Sequence, residues 1–526
     1  MAMGSMGSAL LTDLYQLTMA QAYWHAGKLG MQASFYLHFR ENPFNGGYAI
    51  ACGLAQVVEH IETFAFADED IAYLASVTAN NKKPLFDPRF LNYLANLTLT
   101  IDIDAVREGE VVFPREPILR VTGPILQCQI IETALLNIIG FETIIATKAA
   151  RICSVAKGPV AEFGLRRAQG PAGGIFATRA AFVGGCASTS NLAAGQCFGI
   201  PVSGTHAHSW IMAFDSELAA FRAYAEAFPH NCTLLVDTYD TLSGVANAII
   251  VAHEMEQRGE RLAAIRIDSG DLAWLSKRAR LLLDEANLPY VKIIASNDLD
   301  EHTIFSLLNE QDARIDGWGV GTRLVTAFDQ PALGCVYKMS AVRDGGELSW
   351  KPCLKISEQI LKSSLPGILA VRRYVDASGI MVGDMIYDLN NTPDSHRIID
   401  PADSLRQKDL AAATPHELLV PLIRNGLSVE GPRVAELRVA DVAEPRVAEP
   451  SVAKPSAAPS ASSALSALSA PSAPSSVHEA QDTARRALGQ LDPSNKRLLN
   501  SHTYPVGLEK SLLVMRDQLV REARGL

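Results

Sequence analysis

Between residues 234 and 326 the chain repeats one unit: a short apolar run that breaks off at a polar residue or glycine, then a helix-like stretch. The four runs are LLVDTYD (234–240), AIRIDSGD (264–271), KIIASND (292–298) and GWGVGT (317–322). Their polar ends recur roughly every 24–31 residues, the length of a strand plus its return helix. Parallel strands closed into a barrel present their carboxyl ends to one face, and active sites lie on that face. A row of Asp237, Asp268, Asn297-Asp298 and Gly321-Thr322 there reads as a site for a phosphorylated, metal-bound substrate. The chain is therefore read as an enzyme.

Length and charge narrow the field. With 526 residues there is room for two or three domains and a large core. A net charge of −10 argues against an extended nucleic-acid surface while allowing a local basic pocket for a small anion. The eight cysteines are scattered without a CxxC pair, as reduced thiols of a cytoplasmic protein would be. No apolar run approaches the ~18–20 residues that span a bilayer, and MAMGSMGS at the start lacks the basic and apolar regions of a signal peptide. A soluble protein is expected.

The coarse element reading follows. Asp13 is placed to cap a helix over 13–25, with Gln16 completing a capping box. That helix is apolar on most sides, which predicts burial or a place in a dimer interface. Residues 33–39 alternate like a half-buried strand, 97–103 and 118–122 read as strands, and 130–150 as a helix. Residues 1–125 thus form a mixed α/β domain and 126–340 an α/β barrel, with further strand candidates at 160–163 and 200–202. Residues 341–426 return to the smaller domain. From 427 to 485 the composition is Ala/Ser/Pro-rich with few large apolar residues to offset the entropy of ordering, so this stretch reads as a disordered linker. A C-terminal helical segment over 486–526, with a helix from 507 to 524, completes the chain.

Three constellations carry chemistry. SGTHAHS (203–209) follows a strand candidate and offers Thr205, His206 and His208 beside a glycine. A neutral imidazole is a good nucleophile toward phosphorus, so a phosphohistidine is conceivable; a structural histidine is the competing reading. EFGLRR (162–167) places Phe163 beside Arg166 and Arg167, able to stack a ring and hold its carboxylate or a phosphate. The nearby GGCASTSN (184–191) resembles a phosphate-cradling loop before a helix, a weak signal alone. Finally, Arg266 and Asp268 lie two apart in a strand and point the same way; an internal salt bridge is the alternative to a ligand site. Neither a GxGxxG fingerprint nor a Walker sequence is present.

At these residues the chain resembles the nicotinate phosphoribosyltransferases, of the type II phosphoribosyltransferase group. The resemblance runs through LLTDLYQLTMAQAYW (10–24), FRENPFNGGYAIACGL (39–54), EFGLRRAQGP (162–171), SGTHAHSW (203–210), IRIDSGDL (265–272), SLPGILAVRRY (364–374) and HTYPVGLEKSL (502–512). It implies an irregular (β/α) barrel and a homodimer with shared sites, in which Tyr15 of one subunit stacks on a pyridine ring opposite Phe163 of the other. It further implies that Arg166, Thr205 and Arg266 surround nicotinate and 5-phosphoribosyl 1-pyrophosphate, that Asp268 binds the ribose, and that Gly321 and Thr322 take the 5′-phosphate. His208, rather than His206, matches the histidine that ATP phosphorylates. Ser190 falls where nicotinamide-using relatives carry an Asp, which favours a carboxylate substrate. Mg²⁺ is expected as cofactor and ATP as co-substrate, with Asp298 and Asp237 as metal ligands. The rivals are a nicotinamide or quinolinate phosphoribosyltransferase, a phosphosugar aldolase or isomerase on the same barrel, and an inactive metabolite sensor.

Overall fold

A computed structural model describes residues 8–356, 364–429 and 476–525. Most of the linker expected over 427–485 lies outside the described residues. Its last part does not behave as linker: a helix spans Val477–Gln490, opened by Ser476 and Glu479 in a reciprocal capping box. Its buried Ala480, Ala484 and Ala487 lie on one stripe. Alanine-rich composition had hidden a helix whose small face suits close packing.

Three large sheets organise the described chain, beside a two-stranded pair of Ala49–Ile50 with Val111–Val112. The first runs, edge to edge, through Lys351–Pro352, Cys335–Arg343, Gln32–Phe39, Leu119–Pro124, Asp102–Val106, Leu419–Arg424 and Leu427–Ser428. Its neighbouring strands pair antiparallel, for example Gln32–Phe39 with Cys335–Arg343. The alternating strand expected at 33–39 is there, but its residues are buried on both faces apart from His38 and the end residue Gln32. It lies in the middle of the sheet, so alternation alone misjudged the exposure. A second sheet gathers Gln407–Asp409, Arg397–Ile399, Val506–Leu508, Met381–Asp388, Leu369–Val375 and Thr414–Glu417. Here Val506–Leu508, from the far end of the chain, pairs parallel to Met381–Asp388. The helix expected from 507 begins only at Lys510.

The third sheet is parallel throughout and contains all four repeated runs. Its order is Ser188–Thr189, Val160–Glu162, Gly317–Val320, Lys292–Ser296, Ala264–Ile267, Thr233–Leu235. Helices Thr241–Gln257, Leu272–Glu285 and Glu301–Asn309 return the chain between strands. The candidate at 200–202 contributes a single parallel bridge, Thr189 with Val202. Among the described residues the hydrogen-bonded ladders run from that bridge to Thr233–Leu235 without closing into a barrel. The two ends nevertheless approach each other: the Leu235 N–H donates to the ring Nε2 of His206, 3.2 Å away. A side chain spans the gap that a ladder would have filled.

The helix Glu132–Val155 runs through the interior and buries Glu142, Lys148 and Arg151 along with its apolar residues. Each buried charge is paired, as low dielectric requires. Lys148 and Arg151 both meet Glu301, at 2.7 and 2.8 Å, and Arg179 joins Glu108 and Glu142 at 2.6 and 2.9 Å. The opening helix, Leu14–His25, forms without the expected capping box. Gln16 donates instead to Glu132, and Asp13 accepts from the Thr133 hydroxyl. Tertiary partners therefore outcompete the local cap. No helix among the described residues is long and apolar enough to cross a membrane.

Arg179→Met would leave two buried carboxylates uncompensated and should cost about 3–5 kcal/mol. Arg89→Ala, at an exposed pair with Asp87, should leave stability unchanged. Urea unfolding followed by circular dichroism checks both; equal midpoints for the two variants would contradict the pairing scheme.

Candidate functional site

The strand-end aspartates divide their labour by position. Asp240, Asp271 and Asp300 each accept a hydrogen bond from the backbone N–H three residues on, capping the return helices. Three residues before each of them stand Asp237, Asp268 and Asn297, at the carboxyl edge of the sheet. Gly244 makes this geometry possible: a Cβ there would run into the Val236 carbonyl, so the helix after Asp240 packs directly on the strand end.

Asp237 and Asp268 are coupled. The Asp268 N–H and the Ser269 hydroxyl both donate to Asp237 Oδ2, at 2.9 and 2.6 Å. The other oxygen, Oδ1 of Asp237, is buried with no hydrogen-bond partner. Ser296 donates to Asp268 Oδ1, while Asp268 Oδ2 lies 3.9 Å from His208 Nε2. His208 Nδ1 meets the Thr238 hydroxyl at 3.1 Å. His208 thus stands half-buried between a hydroxyl and a carboxylate, with both ring nitrogens facing the strand ends. Sequence reasoning did not single out Thr238 or Ser296; hydroxyls at the ends of LLVDTYD and KIIASND were the available signal.

The two histidines separate cleanly. His206 is buried, its Nε2 accepts from the Leu235 N–H, and its Nδ1 lies 3.4 Å from the Ala207 carbonyl. One neutral tautomer satisfies both bonds, with the proton on Nδ1. Burial, helped by the charges of Arg266 and His208, pushes its pKa down to about 4. Of the two histidines it is the enclosed one, with both ring nitrogens hydrogen-bonded.

Arg266 spans the same region. One guanidinium nitrogen donates to the His206 carbonyl at 3.3 Å, but its Nε is buried without a partner. Burial lowers its pKa, Asp268 and Asp237 oppose that, and Arg166 is near enough for its charge to add to the lowering. Arg166 itself is exposed on the 3₁₀ turn Leu165–Arg167. An anion would complete the partners of both guanidiniums.

Glu162 holds the neighbouring strand ends in register. Its carboxylate accepts from the Gly164 N–H and from the hydroxyls of Thr178 and Thr189, the last two at 2.8 and 2.7 Å. Phe163 follows, tied to strand Gly317–Val320 through its N–H and the Val320 carbonyl at 2.7 Å. Gly319 leaves room for that ring: a Cβ there would lie 2.7 Å from it. Gly321 and Thr322, one strand over, begin the short helix Thr322–Val325. The strand that leads to Thr322 and the strand that carries Arg266 are two places apart in the sheet, a lateral spacing of roughly 10 Å.

The loop 184–191 differs from the expected phosphate cradle. It holds the strand Ser188–Thr189, and the helix Leu192–Phe198 that follows is already capped by Asn191, which accepts from the Ala194 N–H. Ser190 is exposed beside this edge, and the Ser188 and Ser203 hydroxyls meet at 2.7 Å, so loops 184–191 and 203–209 adjoin. Thr205 is partly buried, its hydroxyl 3.3 Å from the His206 carbonyl. Asp298 is exposed on a turn with left-handed backbone at Asn297 and Asp298, with no bond to Asp237 or Asp268. Tyr15 is half-exposed on the opening helix, and no ring contact joins it to Phe163 within one chain.

Comparison with known proteins identifies the family. A family model described as the nicotinate phosphoribosyltransferase N-terminal domain matches residues 10–140, and one described as the nicotinate phosphoribosyltransferase family matches residues 159–374. The chain is 48% identical over 374 residues to the nicotinate phosphoribosyltransferase of Bacillus subtilis, an alignment covering 70% of this chain and 74% of that one. To the Caenorhabditis elegans protein of the same name it is 38% identical, covering 73% and 76%. Among solved structures, human nicotinic acid phosphoribosyltransferase superposes with a TM-score of 0.76 at 29% identity, covering 97% of this chain and 99% of that chain.

The His206 assignment has a pH signature. Its folded pKa lies below the ordinary value near 6.5, so its contribution to stability is complete above about pH 6.5 and is lost as pH falls toward 4. The stability difference between wild type and His206→Asn should therefore shrink from pH 7.5 to pH 5, by up to about 1.4 kcal/mol per pH unit inside that window. Urea midpoints at the two pH values measure it, and an unchanged difference would refute the buried neutral imidazole.

Proposed function

The chain belongs to the nicotinate phosphoribosyltransferase family, and on that premise we propose that it transfers the 5-phosphoribosyl group of 5-phosphoribosyl 1-pyrophosphate to nicotinate. The products are nicotinate mononucleotide and pyrophosphate, and the step feeds NAD biosynthesis by salvage. The observation that carries this reading is the meeting of the half-buried Arg266, whose Nε is buried and unpartnered, with the His208–Asp268 pair on the strand edge that also bears Phe163 and Thr322.

In this reading the pyridine nitrogen attacks the anomeric carbon as the bond to pyrophosphate breaks. Phe163 supplies one face for the ring, in the space that Gly319 leaves open, and Tyr15 of the partner subunit of a homodimer supplies the other. Exposed Leu14 and Tyr15 on the opening helix support such a contact. Arg166 pairs with the nicotinate carboxylate, with Thr205 and Ser190 at the rim. Arg266 offsets charge growing on the leaving pyrophosphate, Asp268 orients the ribose, and the Gly321-Thr322 turn receives the 5′-phosphate. The donors also fit Mg²⁺, a hard cation that takes few carboxylates and keeps phosphate ligands. Asp237, through its unpartnered Oδ1, and Asp268 would hold it, and it would neutralise pyrophosphate charge. Asp298 stands on an exposed turn that a bound substrate would have to draw inward. We further read the parallel sheet as belonging to an irregular (β/α) barrel.

ATP enters as co-substrate. A ring nitrogen of His208 attacks the γ-phosphorus, ADP leaves, and later hydrolysis of the phosphohistidine releases inorganic phosphate. Thr238 holds the imidazole while this happens, donating to Nδ1 or accepting from it as the protonation state demands. The added negative charge beside the pyrophosphate site would order the cation and substrate.

Pyrophosphate release with nicotinate should exceed that with nicotinamide or quinolinate by at least about a hundredfold. His208→Ala should keep a basal rate and lose its stimulation by ATP, together with acid-labile protein-bound phosphate. Full ATP stimulation in that variant would remove the phosphohistidine from the scheme. Gly319→Ala, by displacing the Phe163 ring, should raise the KM for nicotinate about tenfold or more while the KM for the phosphoribosyl substrate moves less. Steady-state kinetics with each substrate varied in turn distinguishes these.

A further inference from the structure

A cavity of about 1000 Å³ lies among the helices Glu132–Val155, Gly170–Val183, Glu301–Asn309 and Val477–Gln490. Gly184 and Gly185 of the loop 184–191 line it, but Phe163, His208, Asp237, Arg266, Asp268 and Thr322 do not. Its wall is largely apolar, formed by Val155, Val183, Phe305, Leu488, Leu498 and Leu499. Phe305 and Leu499 are exposed, the latter 74%, although packing in the cavity is available to both.

The polar groups around this wall are mostly of one sign. Arg485, Lys496, Arg497 and His302 line it, against the single carboxylate of Glu310. In a chain of net charge −10 this is a local reversal. Lys496 donates to the Leu488 carbonyl and Arg485 to Asp482, but Arg497 and His302 have no hydrogen-bond or ion-pair partner among the described residues. Apolar walls with few, convergent polar groups at this volume are the usual build of a small-molecule site. The wall is more aliphatic than aromatic, which suits a flexible chain better than a stack of rings.

We propose that this cavity binds an amphipathic anion: an aliphatic chain seated against Leu488, Leu498 and Phe305, with a carboxylate head paired to Arg497. The site is separate from the phosphoribosyl-transfer reading and does not depend on it. It does have a route to the strand edge. Phe305 and His302 stand on helix Glu301–Asn309, whose Glu301 clamps Lys148 and Arg151 and whose capping residue Asp300 holds Arg323, next to Thr322, at 2.7 Å.

The test uses the full-length protein and isothermal titration calorimetry with dodecanoate below its micellar concentration, with dodecan-1-ol and inorganic phosphate as controls. One dodecanoate per chain should bind saturably, the alcohol at least tenfold more weakly, and phosphate not measurably. Arg497→Glu and, separately, Phe305→Asp should each weaken dodecanoate at least tenfold; both side chains are surface-accessible, so unchanged thermal melting would show the fold intact. Absence of saturable binding would overturn the proposal. So would phosphate binding as tightly as dodecanoate, or two folded variants that both bind like wild type.

Discussion

Burying charge obliges a protein to bring its counter-charge along, and the interior of this chain is arranged around that obligation. Helix Glu132–Val155 is enclosed over most of its length, so Lys148 and Arg151 have no water to turn to. Both reach Glu301, the first residue of the helix that follows strand Lys292–Ser296. Breaking either partner would strand a charge in low dielectric, whereas the intact set locks that return helix at one height. Asp300, immediately before Glu301, then holds Arg323 beside Thr322. Buried electrostatics in the interior thereby set the position of a turn at the strand edge.

A second carboxylate does the same job at the strand ends. Glu162 collects one backbone N–H and two threonine hydroxyls from three separate segments. Its neighbours Phe163 and Arg166 are left to face the site because Glu162 itself is consumed in holding strands together. The strand-end aspartates show an analogous division: the later member of each pair caps a helix, and the earlier one faces the edge. Asp237 divides its own two oxygens, orienting the Asp268 backbone with one and presenting the other unpartnered.

Much of this was readable from residue order. The four runs became four parallel strands: each is too short for a buried helix, ends at a polar residue or glycine, and is followed by a helix that returns the chain. Other readings failed where a distant partner won. The Asp13–Gln16 capping box lost to Glu132 and Thr133, more than a hundred residues away. The strand Ser188–Thr189 looked like a loop, since two residues have no periodicity and its partner strand lies in another motif. Helix Val477–Gln490 was hidden because a face of alanines resembles low-complexity sequence until the surface it packs against is known.

Residue order alone determined which groups end the strands, and therefore that hydroxyls, carboxylates and guanidiniums would share one edge: strand direction and spacing are local properties of the backbone. Only the tertiary structure decided which of two nearby histidines is enclosed and which stands open at the strand ends. His206 and His208 are alternate residues in one loop, and their letters are the same. The difference is that one ring is enclosed, satisfied by the Leu235 N–H across the open side of the sheet, while the other stands between Thr238 and Asp268. Burial and long-range hydrogen bonding choose between them, and neither is encoded within a few residues of the loop.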